Sequence, residues 1–336
     1  MIKESLAKLV RQEDLTETEM IGATNEIMEG QASPAQIGSF LTALRLKGET
    51  VDEITGAARV MREKSLKVNF KAPMVVDTCG TGGDGSHTFN ISTTAAFVVA
   101  AAGVPVAKHG NRAMSSQCGS ADVLEALGIK VDLPPEKVEV CLKETGIGFL
   151  FAPVFHLAMK HAIGPRRELG FRTVFNLLGP LTNPAGANCQ LVGVFDPELT
   201  TTVAKVLQRL GVERAVVVHG GGGLDELSLD GENKASILKD GKINDLKFKA
   251  ADLGLISAAK EVLKGEGPVE NARTTENILK GIDQGPKLAV VLLNAAAALL
   301  ATDMVSDLKE GISLAQKLIN EGKAYSKLEQ LRKVAV

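Results

Sequence analysis

The sequence has no basic excess: 38 Lys and Arg stand against 40 Asp and Glu, a formal net charge of −2. A general nucleic-acid surface needs surplus positive charge, so no nucleic-acid partner is expected. Cysteine is sparse. Cys79, Cys118, Cys141 and Cys189 form no C-x-x-C pair, which argues against zinc and disulfide frameworks and points to reduced thiols in a cytoplasmic protein. No run is long and apolar enough to cross a membrane. The longest, "LAVVLLNAAAALLA" from Leu288 to Ala301, is broken by Asn294. A span needs about 20 residues, so this run reads as a buried helix and no membrane partner is expected. "MIKESLAKLVRQEDL" carries acids throughout and does not read as a secretion signal. A last absence is local: no Asp or Glu occurs from Gly85 through Ala121.

What is present suits a folded chain with a sizeable core, 45% apolar over 336 residues. The first part reads as a bundle of about four helices. "TETE" from Thr16 and "TVDE" from Thr50 fit the capping box, and Ser33–Pro34 opens a helix that Gly48 ends. From "KAPMVVDTCG" onward, short β-branched runs alternate with helical patterns. The strand candidates are Met74–Asp77, Val104–Ala107, Gly148–Phe151, Gln190–Phe195 and Ala215–Val218. Helices are expected over Thr93–Ala102, Ala121–Leu127, Pro135–Thr145 and Pro197–Leu210. This pattern predicts an α/β fold with a small all-helical domain and a large domain built on a mostly parallel central sheet. The expected division is residues 1–70 for the helical domain, joined by about 161–185, and the rest of 71–336 for the α/β domain. "LSLDGENKASILKDGKIND" reads as a β-hairpin, and the last stretch is helical again.

The stretch "DTCGTGGDGSHTFNISTTAAF", Asp77 to Phe97, sets a glycine loop between strand and helix. Glycine lets backbone N–H groups approach an anion, and a helix start adds partial positive charge, so the loop suits phosphate. Gly80, Gly82 and Gly85 match the dinucleotide pattern, but the acid expected about 20 residues on is missing. Gly80 and Gly85 also fit the P-loop spacing, but Ser86 stands where that motif needs Lys. The acid-free window holds His87, Lys108, His109 and Arg112 with Thr88, Asn90, Ser92, Thr93, Thr94, Ser115, Ser116 and Ser120. That composition suits a ligand with several phosphates, and equally a buried strand–helix–strand core. "KHGNRAMSSQCGSADVLEALG", from Lys108, places bases and hydroxyls between a strand end and a helix that Ser120 is expected to cap. "VVVHGGGGLDELS" puts Asp225 and Glu226 after a strand-end glycine run, a place for Mg²⁺ on hard oxygens or simply for surface charge. His156 and His161, five apart, do not share a helix face, and no nucleophile elbow occurs.

Four segments together resemble the anthranilate phosphoribosyltransferase family: "GTGGDGSHTFNIST", "KHGNRAMSSQCGSADVLEALG", "GPRRELGFRTVFNLLGPLTNPA" and "HGGGGLDELS". The glycine loop alone is shared with class II nucleoside phosphorylases. The resemblance implies an active site in the cleft between the two domains and a homodimer formed through the helical one. It implies transfer of the phosphoribosyl group from 5-phosphoribosyl 1-diphosphate (PRPP) to anthranilate in tryptophan biosynthesis. Carried over by position, it assigns Gly80, Gly83, Asp84, Thr88, Asn90, Ile91, Ser92 and Thr93 to PRPP. It extends that site to Lys108, His109, Gly110, Asn111, Arg112, Ala113, Met114, Ser115, Ser116 and Ser120. Gly80, Asn111 and Arg166 are implied for anthranilate, with Arg166, His109 and Asn111 in catalytic roles. Ser92, Asp225 and Glu226 are implied for two Mg²⁺ ions per active site. Gln117 departs from the family pattern, which usually carries Lys or Arg there, and removes a cation from that loop.

Overall fold

The protein is described by a computed structural model, which covers residues 1–113 and 117–336. Four helices come first: α1 (Ile2–Val10), α2 (Glu17–Met28), α3 (Pro34–Lys47) and α4 (Val51–Lys64). Capping boxes at Thr16, Ser33 and Thr50 fix the starts of α2, α3 and α4; the sequence predicts the boxes at Thr16 and Thr50 and the helix start at Ser33. Each such cap contributes about 1 kcal/mol. The third box is also a core element. Glu53, fully buried, accepts from the N–H of Thr50 at 2.8 Å and of Leu15 at 2.9 Å, and pairs with Lys47 at 3.0 Å.

The alternating part follows as β1 (Val76–Gly80), α5 (Ile91–Ala101), β2 (Val106–Gly110), α6 (Ser120–Ala126), α7 (Pro135–Thr145) and β3 (Ile147–Phe151). Helices α8 (Ala152–Phe155), α9 (Lys160–Leu169) and α10 (Val174–Leu181) interrupt it. It resumes with β4 (Cys189–Gly193), α11 (Leu199–Arg209), β5 (Arg214–His219), β6 (Asn233–Lys239) and β7 (Lys242–Phe248). Helices α12 (Pro268–Leu279), α13 (Pro286–Ala301), α14 (Leu308–Asn320) and α15 (Lys323–Val334) close the described fold. The seven strands form one sheet in the order β3-β2-β1-β4-β5-β6-β7. The first five in that order run parallel, and β6 and β7 are the antiparallel hairpin read from the sequence.

Both faces of the sheet are covered, so strand residues alternate between two cores. Val216 and Val218 join the core that contains α5 and α13. Ala215, Val217, Val192 and Val194 join the other, which contains α11, α10 and the four-helix start. Helices α9 and α10 pack on α2, α3 and α4, and α10 also touches β1 and β2. Arg62 of α4 ties the halves together. Its guanidinium donates to the carbonyls of Leu181, at 2.7 Å, and Leu210, at 3.0 Å, which are orphan acceptors at the ends of α10 and α11. Burial draws its pKa down to about 10.

Candidate active site

The order β2-β1-β4 makes the C-terminal ends of β1 and β4 the switch point of the sheet, where ligands bind in open α/β folds. Gly80 ends β1 beside Gly193, which ends β4. The segment with Asp225 and Glu226 crosses directly above both glycines. A Cβ on Gly193 would overlap the carbonyl oxygen of Asp225, and one on Gly80 would overlap its carboxylate. These two glycines are set by close approach, not by a turn. The loop after β1 uses the other property of glycine: Gly82, Gly83 and Gly85 have φ of +65°, +75° and +70°. His87, at φ +53°, is the non-glycine exception in the loop. Its carbonyl is fixed by the N–H of Gly265 at 2.8 Å.

Asp225 and Glu226 are the focus of the arrangement. Asp225 Oδ2 accepts from Gly82 N–H at 2.6 Å, and Glu226 Oε1 accepts from Ser92 N–H at 2.9 Å, at the start of α5. Asp84 turns toward the same place, accepting from Ser86 Oγ at 2.5 Å and from Asp225 N–H at 3.4 Å. Burial and then the charge of Asp84 push the Asp225 carboxyl up to about 7. Burial and the charge of Asp225 drive Glu226 well above the usual carboxylate range. Lys108, 3% exposed, donates to the carbonyl of Thr78 and to Ser92 Oγ at 3.3 Å. Burial lowers its pKa, against the pull of Asp77, Cys79 and Glu226.

The remaining residues of the motifs are distributed differently. Asn90 braces rather than points outward. Its Nδ2 donates to the carbonyl of Cys118 at 3.1 Å, and its Oδ1 accepts from Asn271 Nδ2 at 3.1 Å. Ile91 and Thr93 are buried in α5. Thr88 is bridged to Lys264 in a short antiparallel contact. Gly110 leaves room for Ser120 and the ring of Phe149. Ser120 does not cap α6; the N-cap is Gly119, and Ser120 Oγ instead donates to the Asn111 carbonyl at 3.2 Å. Asn111 Oδ1 accepts from Arg112 N–H at 2.8 Å, and Asp122 holds Ala113 N–H at 2.9 Å. Arg112 is paired with Glu125 at 2.5 Å and Asp122 at 3.1 Å, which raise its pKa. Met114, Ser115 and Ser116 lie outside the described residues.

His109 and His156 form a buried pair, with Nε2 atoms 3.2 Å apart. His109 Nδ1 lies 3.0 Å from the Gly179 carbonyl and must donate to it, so His109 Nε2 accepts from His156. Burial lowers both, to about 3 and about 4. Arg166, half-buried in α9, stacks over Phe175 with Cζ 5.0 Å from the ring centre. It has no carboxylate partner among the described residues, and burial lowers its pKa. Sequence reasoning missed Asn271, Asn294, His156 and Arg172 as parts of the site and its bracing. Arg172, the later arginine of "RRELGFRT", stacks on Phe195 at 4.3 Å and reaches Gly83, whose added Cβ would lie 3.7 Å from its side chain. Among the described residues no three His, Cys, Asp or Glu side chains form a preformed metal cage. A site of one or two carboxylates completed by substrate phosphates, the Mg²⁺ habit, needs none.

A helical bundle beside a sheet, with a glycine cradle and paired carboxylates at its switch point, defines a glycosyl transferase. The family model for the helical bundle domain of glycosyl transferases matches residues 3–65, and that for their a/b domain matches residues 72–325. The chain is 58% identical over 331 residues to the anthranilate phosphoribosyltransferase of Moorella thermoacetica, covering 98% of this chain and 97% of the relative. The enzyme of Symbiobacterium thermophilum is 56% identical over the same shares. The solved anthranilate phosphoribosyltransferase of Thermus thermophilus superposes with a TM-score of 0.94 at 46% identity, over 98% of this chain and 99% of that one. The Saccharomyces cerevisiae enzyme, solved in complex with PRPP and Mg, gives 0.91 at 30%, over 99% and 97%. The chain belongs to the anthranilate phosphoribosyltransferase family and is an enzyme of that family. No helix among the described residues is long and apolar enough to cross a membrane.

Proposed function

We propose that the chain transfers the 5-phosphoribosyl group of PRPP to the amine of anthranilate, giving N-(5-phosphoribosyl)anthranilate and pyrophosphate, a step of tryptophan biosynthesis. One observation carries the reading: Asp225 and Glu226 each receive a backbone N–H from the glycine-loop side of the switch point, from Gly82 and Ser92. The loop and the carboxylates therefore address one space. Names of relatives support the substrates: the yeast enzyme is solved with PRPP and Mg and, separately, with 4-fluoroanthranilate.

Two adjacent carboxylates with Asp84 beside them make a hard-oxygen set that fits Mg²⁺. Asp225, Glu226 and Ser92 would hold it, two ions per site in this proposal. Bound there, Mg²⁺ supplies charge neutralisation for a departing diphosphate. The chain's own residues do the rest. Backbone N–H groups of Gly80, Gly83 and the α5 start line the diphosphate cradle, with Asp84, Thr88 and Asn90 through Thr93 shaping it. Lys108, Gly110, Asn111, Arg112, Ala113 and Ser120 border the rest of PRPP, as do Met114, Ser115 and Ser116 by sequence position.

The C1–O bond to diphosphate breaks as the anthranilate nitrogen bonds to C1, and the amine proton leaves to solvent. The aromatic amine is already neutral at pH 7, so orientation matters more than a base. Arg166, which has no carboxylate partner among the described residues, would take the anthranilate carboxylate, with Asn111 and Gly80 as further contacts. His109, fully engaged and held neutral, orients β2 and α10 rather than moving a proton. No covalent enzyme intermediate is invoked.

The proposal divides the chain into a helical domain of residues 1–70 with 161–185 and an α/β domain from the remainder. It includes a homodimer through the helical domain and a cytoplasmic location. Purified protein with Mg²⁺, PRPP and anthranilate should consume anthranilate, followed by loss of its fluorescence. Folded protein that leaves the signal unchanged, yet releases base from thymidine with phosphate, would instead make it a nucleoside phosphorylase.

A further inference from the structure

An unexplained polar residue sits in a long, buried, almost wholly apolar helix. Asn294 interrupts α13 among leucines, valines and alanines and is 2% exposed. Burying an amide there costs several kcal/mol unless its groups are bonded. Asn294 satisfies this cost at one place. Its Oδ1 accepts from the Leu227 N–H at 3.0 Å, and its Nδ2 donates to the Leu227 carbonyl at 3.0 Å. Nδ2 also reaches the Val290 carbonyl one turn back in α13, at 2.9 Å. The side-chain amide therefore grips both backbone groups of one residue, and that residue directly follows Glu226. A two-point grip fixes orientation as well as position, which a single hydrogen bond does not.

The surroundings make the grip rigid. Helix α13 packs against α5, β4 and β5. Helix α5 carries the Ser92 N–H that holds Glu226, and β4 ends at Gly193 beneath Asp225. The Asp225–Glu226 pair is thus held from the loop side by Gly82 and Ser92, and from the core side through Leu227 by Asn294.

We infer that Asn294 is a positioning residue that presets the Asp225–Glu226 pair for a divalent cation. The inference rests on the metal reading given under the proposed function. Outer-sphere partners of metal ligands typically change affinity by about 10–100-fold when removed. Asn294→Leu keeps the branching and heavy-atom count and deletes both bonds to Leu227; Asn294→Ala deletes them with less bulk.

The test is calorimetric titration of Mg²⁺ with pyrophosphate into wild type, the Asn294 variants and the double variant Asp225→Asn with Glu226→Gln, well below each melting temperature. In folded Asn294 variants, Mg²⁺–pyrophosphate binding is expected to weaken about tenfold. The Mg²⁺ midpoint of activity should rise in step, kcat should recover at saturating Mg²⁺, and KM for anthranilate should stay within about twofold. A merely structural role would lower melting temperature and active fraction without moving the Mg²⁺ midpoint. Binding within about twofold of wild type in a folded variant overturns the inference. Wild type that does not bind, or a double carboxylate variant that binds as wild type does, overturns the metal reading instead. If neither Asn294 variant folds, hydrogen exchange at the Leu227 amide of wild type decides. Slow exchange without ligand, unchanged by Mg²⁺ and pyrophosphate, supports a preset pair; fast exchange that slows only on binding refutes it.

Discussion

Nε2 of His156 donates to Nε2 of His109 across 3.2 Å inside the fold, and that contact leaves no vacant ring nitrogen on His109, whose Nδ1 is spent on Gly179. The pair is neutral when folded, with values near 3 and 4 against about 6.5 in an unfolded chain. Between those limits the unfolded chain binds more protons, so stability is complete above pH 6.5 and falls as pH drops through the window.

His156→Asn should flatten that acid limb, checked by urea melts between pH 4 and 7. For His109→Asn the expected kcat loss is under about tenfold, because a general base would be worth about 10²–10⁴. A larger loss, with a kcat profile that loses a limb near neutrality, would return His109 to proton transfer.

Much of this fold was legible because its signals are local. The capping boxes at Thr16 and Thr50, the N-cap at Ser33 and the whole of α7 stand where the sequence puts them. Strand β1 does not: the expected Met74–Asp77 is Val76–Gly80, since Gly80 pairs with Gly193 in the parallel ladder and belongs to the strand despite reading as loop. At the site, the glycine loop and the Asp225–Glu226 pair were legible as motifs. Their bracing was not. Asn294 and Leu227 are 67 residues apart, and Asn271 and Asn90 are 181 apart. An asparagine in a helix pattern carries no sign of which distant backbone it will meet. Likewise Arg112 reads as a phosphate cation, while the fold offers it the carboxylates of Asp122 and Glu125 on the next helix.

Those carboxylates compete with any phosphate for Arg112. Arg112 and Glu125 are exposed, so their pair contributes at most about 1 kcal/mol to stability. Glu125→Gln should therefore leave the melting temperature nearly unchanged and lower KM for PRPP, whereas Arg112→Ala should raise it. Steady-state kinetics at fixed Mg²⁺ separates the two; equal KM values for both variants would remove Arg112 from the PRPP site.

Arg166 is expected to act on one substrate only. It stacks on Phe175 and lacks a carboxylate among the described residues, and a charge-assisted hydrogen bond is worth about 1.5–3 kcal/mol. Arg166→Ala should raise KM for anthranilate by about 10–100-fold, the equivalent of that energy, with KM for PRPP within about twofold. Lysine should recover only part of the loss, because it cannot reproduce the two-pronged geometry. A rise confined to PRPP would reassign the residue.

The Asp225–Glu226 pair should show a conflict between stability and function. Beside Asp84, the Asp225 carboxyl is raised to about 7 from 3.8. The folded chain therefore holds the extra proton between those values, and the pair's contribution to stability declines as pH rises through that window. Above it, like charges face one another, offset among the described residues by Lys108 and backbone amides. Replacing both, by Asp225→Asn and Glu226→Gln, removes the repulsion while keeping the shapes. The metal-free double variant should melt above wild type at pH 8, and the gap should close near pH 4, followed by differential scanning fluorimetry. The same variant should lose transferase activity and the rise in melting temperature that Mg²⁺ with PRPP gives wild type. Stabilisation by Mg²⁺ and PRPP equal to that of wild type would show that the metal is held elsewhere.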